Sequence, residues 1–498
     1  MVAVFLLAEI LIRVWRDGGV ASGADGMLVV DQAQYLSWLR QTATYGAAGN
    51  PFDLAPGPRS FVHPGLELSA LLYRLGAGVA LAYLAWTPVA VATVFAGART
   101  FVRRLVVRRD DRRLALALAL FTCIPTAAIV GWAGLGGAST KFRFELIVAE
   151  LWAGSYLWGY LFTAVAVGLV PLGLLAYERG GRWLIGAAIC GLLSAWLQPW
   201  QGATFAAVLV AAQLLTRPFA WKAAVWRAAP VLVATGLPLA YYLVLSRADA
   251  SWRLAGQANQ AQAYGGRFWP VVLVTLLPLA VPAALAYRGV SRDFASLALR
   301  AWPLAGIAIY AAPIGTFPYH ALQGLTLPLA VLAVLGVRRC LGARPLPIAA
   351  AASVAVVLIV PGTVYRMKEG HQRIAEARQS HILAPGERSA LRALERDPRS
   401  GGVLAPSFLA PVVPAYTGRE TWVAAGSWTP DFLRRRTQAD KLFSGGLAPA
   451  AARAVVRRSG ARFVLADCRS SAALGRVLAG VTGPMRRFGC ATVWPVTG

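Results

Sequence analysis

Charge is what this chain has least of. Only 14% of its 498 residues are Asp, Glu, Lys or Arg, against about 25% in ordinary soluble domains. That shortage, with 57% hydrophobic residues and a mean hydropathy of +0.55, excludes a chain folded wholly in water. Lysine is nearly absent, so the formal charge of +27 is an arginine excess. Many of those arginines stand in short loops between apolar runs, where they act as topology determinants. Nucleic-acid binding needs a clustered basic face instead, and none is visible. No small-residue cleavage site follows the first apolar run, and Arg13 and Arg16 come after it, which excludes a cleavable secretory signal. Histidine is confined to four positions and cysteine to five.

What is present is a series of apolar runs. Spans are expected near 1–15, 77–98, 114–132, 156–177, 184–200, 203–216, 228–245, 270–287, 302–318, 321–337 and 346–365. The first is short of the roughly 20 residues a span requires, as expected if the true start lies upstream. With the N-terminus inside, the cytoplasmic loops are 99–113, 178–183, 217–227, 288–300 and 338–345. Each carries arginine, from Arg99, Arg103 and Arg104 in the first to Arg338, Arg339 and Arg344 in the last. That is the positive-inside pattern. An odd number of spans then places the C-terminal region outside.

The expected fold is therefore mainly α: a polytopic helical bundle of about eleven spans over 1–366, followed by a small extracytoplasmic α/β domain over 367–498. The first outer loop, 16–76, is long and polar, and its apolar stretch 66–75 reads as an interfacial or re-entrant helix. In the C-terminal region, helices are expected at 388–395 and 449–458, the latter ending at Gly460. A further helix is expected to open at Thr429-Pro430-Asp431, with Thr as cap and Pro in the first turn. Strands are expected at 402–405, 421–424, 461–466 and 490–496. Neither a Gly-rich phosphate loop nor a nucleophile elbow occurs there. Cys123, Cys190 and Cys340 fall in or beside spans and read as packing residues. Cys468 and Cys490 are the two cysteines of the C-terminal region; they are a disulfide if that region lies in an oxidising compartment and two buried thiols otherwise.

Polar residues at the outer ends of the spans are the candidates for chemistry. Asp31, just past the first span, is placed to deprotonate a hydroxyl, or else to cap a helix. Tyr35 lies one turn further along the same face if the stretch is helical. His63 precedes the interfacial helix. Lys141 and Arg143, with Glu145 following, stand on the outer side, where basic residues are under-represented. They suit a lipid-carried phosphate or pair locally with Glu145 and Glu150; Arg267 suits the same phosphate. Gln198, Trp200 and Gln201 form one outer junction and His320 and Gln323 another. Amides bond hydroxyls and an indole offers a flat apolar face, a combination that suits sugars. Asp31, Asp53, Glu67, Glu145 and Glu150 offer oxygens to a divalent cation, but no spacing motif joins them.

A many-span protein with a long first outer loop, an acidic residue just after the first helix and an extracytoplasmic C-terminal domain resembles the GT-C glycosyltransferases, which include protein mannosyltransferases and arabinofuranosyltransferases. The resemblance is one of architecture across 1–366. It implies transfer of a sugar from a polyprenyl-phosphate carrier, usually with inversion, to a glycan, lipid or protein acceptor outside the cytoplasmic membrane. The first-loop acidic residue, here Asp31, is implied as base. Many members carry two neighbouring acidic residues in this loop, whereas Gln32 follows Asp31 here; a lone base fits better than half of a metal site. Two alternatives stay open: a transporter or flippase of lipid-linked glycans, which would need mid-span charges and internal repeats, and a non-catalytic membrane scaffold.

Overall fold

A computed structural model of the chain describes residues 2–55, 57–216, 221–262, 268–288, 291–312, 317–342, 344 and 347–497. Seven helices among them are long and apolar enough to cross a membrane: Val79–Leu105, Leu161–Arg179, Trp221–Ala248, Trp269–Tyr287, Phe294–Ala311, Pro318–Leu341 and Ile348–Ala375. An eighth candidate is a pair, Arg109–Phe121 and Thr126–Ala133, bent by 52°. The apolar helices Trp183–Leu197 and Pro199–Leu215 are shorter, and the helix at the first expected span, Phe5–Asp17, has 13 residues. Every expected span thus falls on a helix, but not all reach the length of a crossing. The protein is a multi-pass membrane protein.

The chain forms two compact units. The first comprises Met1–Ala3, Trp86–Val244 and Gln260–Glu369. Its helices differ in what surrounds them: the apolar window of Pro318–Leu341 is 83% buried and that of Ile348–Ala375 only 17%. The former is a central helix and the latter presents its side chains to lipid. Apolar side chains gain little from leaving lipid for protein, so close packing must hold such helices together. Glycine provides it. A Cβ on Gly97 would lie 2.4 Å from the carbonyl oxygen of Gly168, and one on Gly168 would lie 2.6 Å from the Thr93 backbone. Two helices meet there at backbone distance.

Loops in this unit contact one another in two sets. Arg104 bonds Glu178 at 2.6 Å and Asp293 at 3.2 Å, and Arg338 holds the buried Asp111 at 2.8 Å. Each of these residues lies in a loop expected inside, or at its edge. Glu150, Gln201, His320 and Gln323, all expected outside, bond among themselves. Loops expected on one side thus contact one another. Cys340 is exposed, which corrects its reading as a packing residue: it sits in the last turn of its helix, beyond the buried stretch.

The second unit comprises Val4–Ala85, Leu245–Asn259 and Gly370–Gly498. Strand β1 (Val20–Ala21) pairs antiparallel with β2 (Ile382–Leu383), joining the first loop to the C-terminal region. The expected interfacial helix spans Pro64–Arg74. Four further strands, β3 (Val403–Leu404), β4 (Phe463–Ala466), β5 (Arg486–Phe488) and β6 (Ala491–Pro495), form a sheet ordered β3-β4-β6-β5. Its β3–β4 contact is parallel and the other two are antiparallel. Val464 and Trp494 from the sheet bury against Phe443 and Val456 from the helices Phe432–Phe443 and Pro449–Ser459, which makes the region a small α/β fold. Two sequence expectations are corrected. Residues 421–424 make only a single bridge, Thr421 to Val403. Thr429 does not cap a helix, because its hydroxyl donates to the Phe52 carbonyl and accepts from the Ala424 amide; the helix begins two residues later, after Asp431.

Cys468 and Cys490 form a disulfide, with Cα atoms 4.8 Å apart and a sequence separation of 22. Closing a loop of that length restricts the unfolded chain by about 3 kcal/mol. Replacing both cysteines by serine should lower the thermal unfolding midpoint. Alkylation of the denatured wild-type protein should label three cysteines without reduction and five after it, as intact mass would show.

Candidate functional site

The helix Val29–Tyr45 carries Asp31 in its first turn. Its N-cap is Leu28, which has no side-chain acceptor, so the free N–H groups need other partners. Gln379 supplies one, its Oε1 accepting from Val29 N at 2.6 Å. Gln32 then reaches back: its Oε1 accepts from Asp25 N at 2.8 Å and Gly26 N at 2.7 Å, and its Nε2 donates to Asp25 Oδ1 at 2.8 Å. His381 donates from Nε2 to the Gly26 carbonyl at 2.9 Å, and Tyr416 donates to the Ser22 carbonyl at 2.7 Å. The loop before Asp31 is therefore fixed by residues 379–381 and 416.

Asp31 is half-buried at this helix start and does not act as the cap. Tyr35 lies on its face, as expected: the Tyr35 hydroxyl is raised well above its usual range, first by burial and then by the charge of Asp31. A phenol so placed stays protonated and remains a donor. Its ring stacks on Tyr83 with centroids 5.8 Å apart. His63 is buried and is the N-cap of Pro64–Arg74, its Nδ1 accepting from Leu66 N at 3.3 Å.

Asp25 was not singled out by the sequence. It is buried, and desolvation lifts its carboxyl from 3.8 to about 6 despite the Gln32 hydrogen bond. His381, also buried, is held below its ordinary value by desolvation and is neutral. With Nε2 donating to Gly26, its Nδ1 carries a lone pair that has no hydrogen-bond partner among the described residues. In sequence Asp25 stands between glycine and alanine and reads as a turn; only residues about 350 positions away bury it.

The first unit holds a second constellation. The junctions at 198–201 and 320–323 meet, and Glu150 joins them. Glu150 Oε2 accepts from Tyr156 Oη at 3.0 Å and lies 3.2 Å from His320 Nδ1. Gln323 Nε2 is 3.0 Å from the same His320 nitrogen, and Gln201 Nε2 donates to the Gln323 carbonyl at 3.3 Å. The Trp200 ring stands edge-on to His320, with centroids 6.5 Å apart. Gln198 donates to Thr163 at 3.4 Å. Gln201 Oε1 is buried without a hydrogen-bond partner among the described residues. Burial and the Glu150 carboxylate keep the Tyr156 phenol protonated.

Lys141 and Arg143 diverge. Lys141 Nζ lies 3.0 Å from Glu369 and 3.6 Å from Glu145, and Glu145 also accepts from Tyr365 at 2.7 Å. Arg143 is exposed and rests on the Phe268 ring, 4.7 Å from its centroid. Arg267 lies outside the described residues. Among the described residues no group of three or more His, Cys, Asp or Glu is placed to hold a metal ion; Asp53 is bonded to Arg435 at 2.8 Å.

The raised carboxyl of Asp25 has a definite pH signature. Its folded value exceeds the unfolded one, so the folded state binds more protons between about pH 4 and 6. Stability falls by about 3 kcal/mol as pH rises through that window, and stays at the lower level above it. Asp25→Asn should remove this fall. The variant's melting midpoint should exceed that of the wild type at pH 7, and the gap should close toward pH 4. A gap independent of pH would show that the carboxyl is not buried in this way.

No protein-family model matches the chain, and no curated protein matches it by sequence. Solved structures do. The archaeal oligosaccharyltransferase AglB from Archaeoglobus fulgidus, in complex with an inhibitory peptide and a dolichol-phosphate, superposes with a TM-score of 0.50 at 13% identity, covering 93% of this chain and 69% of AglB. ArnT from Cupriavidus metallidurans, bound to undecaprenyl phosphate, superposes with a TM-score of 0.50 at 12% identity over 93% of each chain. The chain therefore shares the fold of these two proteins.

Proposed function

We propose that the protein is an integral membrane glycosyltransferase that moves a sugar from a polyprenyl-phosphate carrier to an extracytoplasmic acceptor with inversion. The observation that carries this reading is the likeness over 93% of the chain to two structures, one holding dolichol-phosphate and the other undecaprenyl phosphate. Asp31 is the base. Its carboxylate takes the proton of the acceptor hydroxyl, the hydroxyl oxygen bonds to the anomeric carbon, and the carbon–oxygen bond to the lipid phosphate breaks on the opposite face. One displacement inverts the anomeric centre and releases polyprenyl phosphate. Tyr35, kept protonated beside Asp31, donates a hydrogen bond and orients the carboxylate.

Arg143 is the better of the two outer cations for the phosphate. Lys141 is shared between two carboxylates, whereas Arg143 is exposed on an aromatic face. A guanidinium there bonds phosphate oxygens through two N–H groups. Arg267 is assigned the same role. The Trp200, Gln198, Gln201, His320 and Gln323 cluster with Glu150 forms the sugar-binding region, where the free Gln201 oxygen accepts from a hydroxyl, and His63 lines the acceptor side. The C-terminal region is extracytoplasmic and the N-terminus cytoplasmic, a reading supported by the disulfide and by the arginine loops.

Asp31→Asn should reduce transfer at least a hundredfold in membranes given a panel of labelled polyprenyl-phosphate sugars, with expression unchanged. Arg143→Gln should raise the KM for the lipid donor about tenfold with a smaller change in kcat. Retained transfer by Asp31→Asn, or a product with retained anomeric configuration, would overturn the assignment.

A further inference from the structure

Charge in the C-terminal region does not follow the topological rule. Residues 370–498 hold nineteen basic and eight acidic side chains, a net of +11. Arginine in short inner loops orients spans; arginine on a folded soluble region has no such task. Many of these cations are neutralised locally: Arg399 by Asp397 at 2.7 Å, Arg435 by Asp53 and Arg436 by Asp440. One group is not.

A cleft of about 470 Å³ is lined by Ser389, Arg392, Arg396, Asp397, Arg486 and Phe488. Arg392 lies in the last turn of the helix Pro385–Glu395, and Arg396 is its C-cap. A cation near a helix C-terminus is favoured by the helix dipole, which accounts for either arginine alone. It does not account for a third, Arg486, on edge strand β5 across the same cleft. Neither the Arg392 nor the Arg396 side chain makes a hydrogen bond or ion pair among the described residues. Asp397, the one acidic residue of the cleft, takes Arg399 through both carboxylate oxygens and Arg486 through one contact at 3.1 Å, and these arginines hold its carboxyl down at about 2. Arg392 and Arg396 thus stand beside a carboxylate already shared by Arg399 and Arg486. Like charges four residues apart on a helix repel, so the cleft is better satisfied with an anion in it.

The other lining residue narrows the anion. Phe488 is half-buried and lies two residues from Arg486 on the same strand, so both side chains point to one face. The helix approaches β5 at Gly386, where a Cβ would stand 2.3 Å from the Phe488 carbonyl oxygen. An aromatic ring beside guanidinium groups suits a ligand with a flat apolar face and a carboxylate or phosphate at its edge. A concave site of this size accepts a sugar unit, whereas a membrane surface would meet a flat basic patch.

We infer that this cleft binds an acidic saccharide, a sugar carrying carboxylate or phosphate, through Arg392, Arg396 and Arg486 with Phe488 under the ring. The inference is independent of the transfer reaction, because binding is measured without any lipid donor. The full-length protein in neutral phosphatidylcholine nanodiscs is titrated with oligogalacturonate, with a hexose phosphate and with neutral maltohexaose. Either acidic ligand should bind with an affinity that falls as salt rises, and maltohexaose should not bind. Arg392→Gln with Arg396→Gln should weaken binding at least tenfold. Arg457→Gln with Arg458→Gln, which removes the same charge from the exposed end of the helix Pro449–Ser459, should leave it unchanged. Equal weakening by both pairs, binding of maltohexaose, no binding of either acidic ligand, or tighter capture by phosphatidylglycerol vesicles than by acidic saccharide would each overturn the inference.

Discussion

The start of the helix Val29–Tyr45 has no cap of its own, and much of the second unit follows from that deficiency. A helix leaves its first N–H groups without partners, and Leu28 offers no side-chain acceptor. Gln379, 350 residues away, accepts from the first of them, Val29 N, and Gln32 turns back to accept from the Asp25 and Gly26 amides of the loop before the helix. The β1–β2 pair and the His381 bond to Gly26 complete the attachment. The C-terminal region is therefore a structural part of the Asp31 site. Such an arrangement places a carboxylate at a helix mouth while keeping the helix start rigid, as a positioned base requires.

The same attachment explains why Asp25 is buried. An uncompensated carboxyl in the interior lowers stability, and a single amide hydrogen bond offsets only part of that penalty. The Asp25 side chain accepts from Gln32, and its own amide is accepted by Gln32. The residue thus fixes Gln32, and Gln32 fixes the turn leading to Asp31. Asp25 therefore acts on the loop before Asp31 through Gln32.

The spans were legible because hydropathy is local: a run of apolar residues announces a helix without reference to its neighbours. Length was less legible, since Trp183–Leu197 and Pro199–Leu215 are separated only by Gln198. The two polar junctions were visible as motifs, but their meeting was not, because Gln201 and Gln323 stand 122 residues apart. Glu150 read as a local partner of Lys141 and Arg143, whereas the helix Gly137–Leu151 carries it to His320. Thr429-Pro430 had the composition of a helix start; a tertiary bond to Phe52 took the threonine hydroxyl instead. Each miss is a case of distant partners overriding a sound local preference.

Charge shows the same division between local and distant causes. In the loops expected inside, several arginines are exposed and others pair across loops, as Arg104 does with Glu178 and Asp293. Composition and topology account for it. On the C-terminal region acidic partners are too few for the basic residues present, and three of those basic residues line one cleft. A surface excess spread evenly would be screened within about 10 Å at ordinary salt and would need no ligand. Three guanidinium groups converging on a concavity beside an aromatic ring form a field that is focused rather than diffuse. The distinction rests on geometry, since the arginine-rich composition alone is the same in both cases.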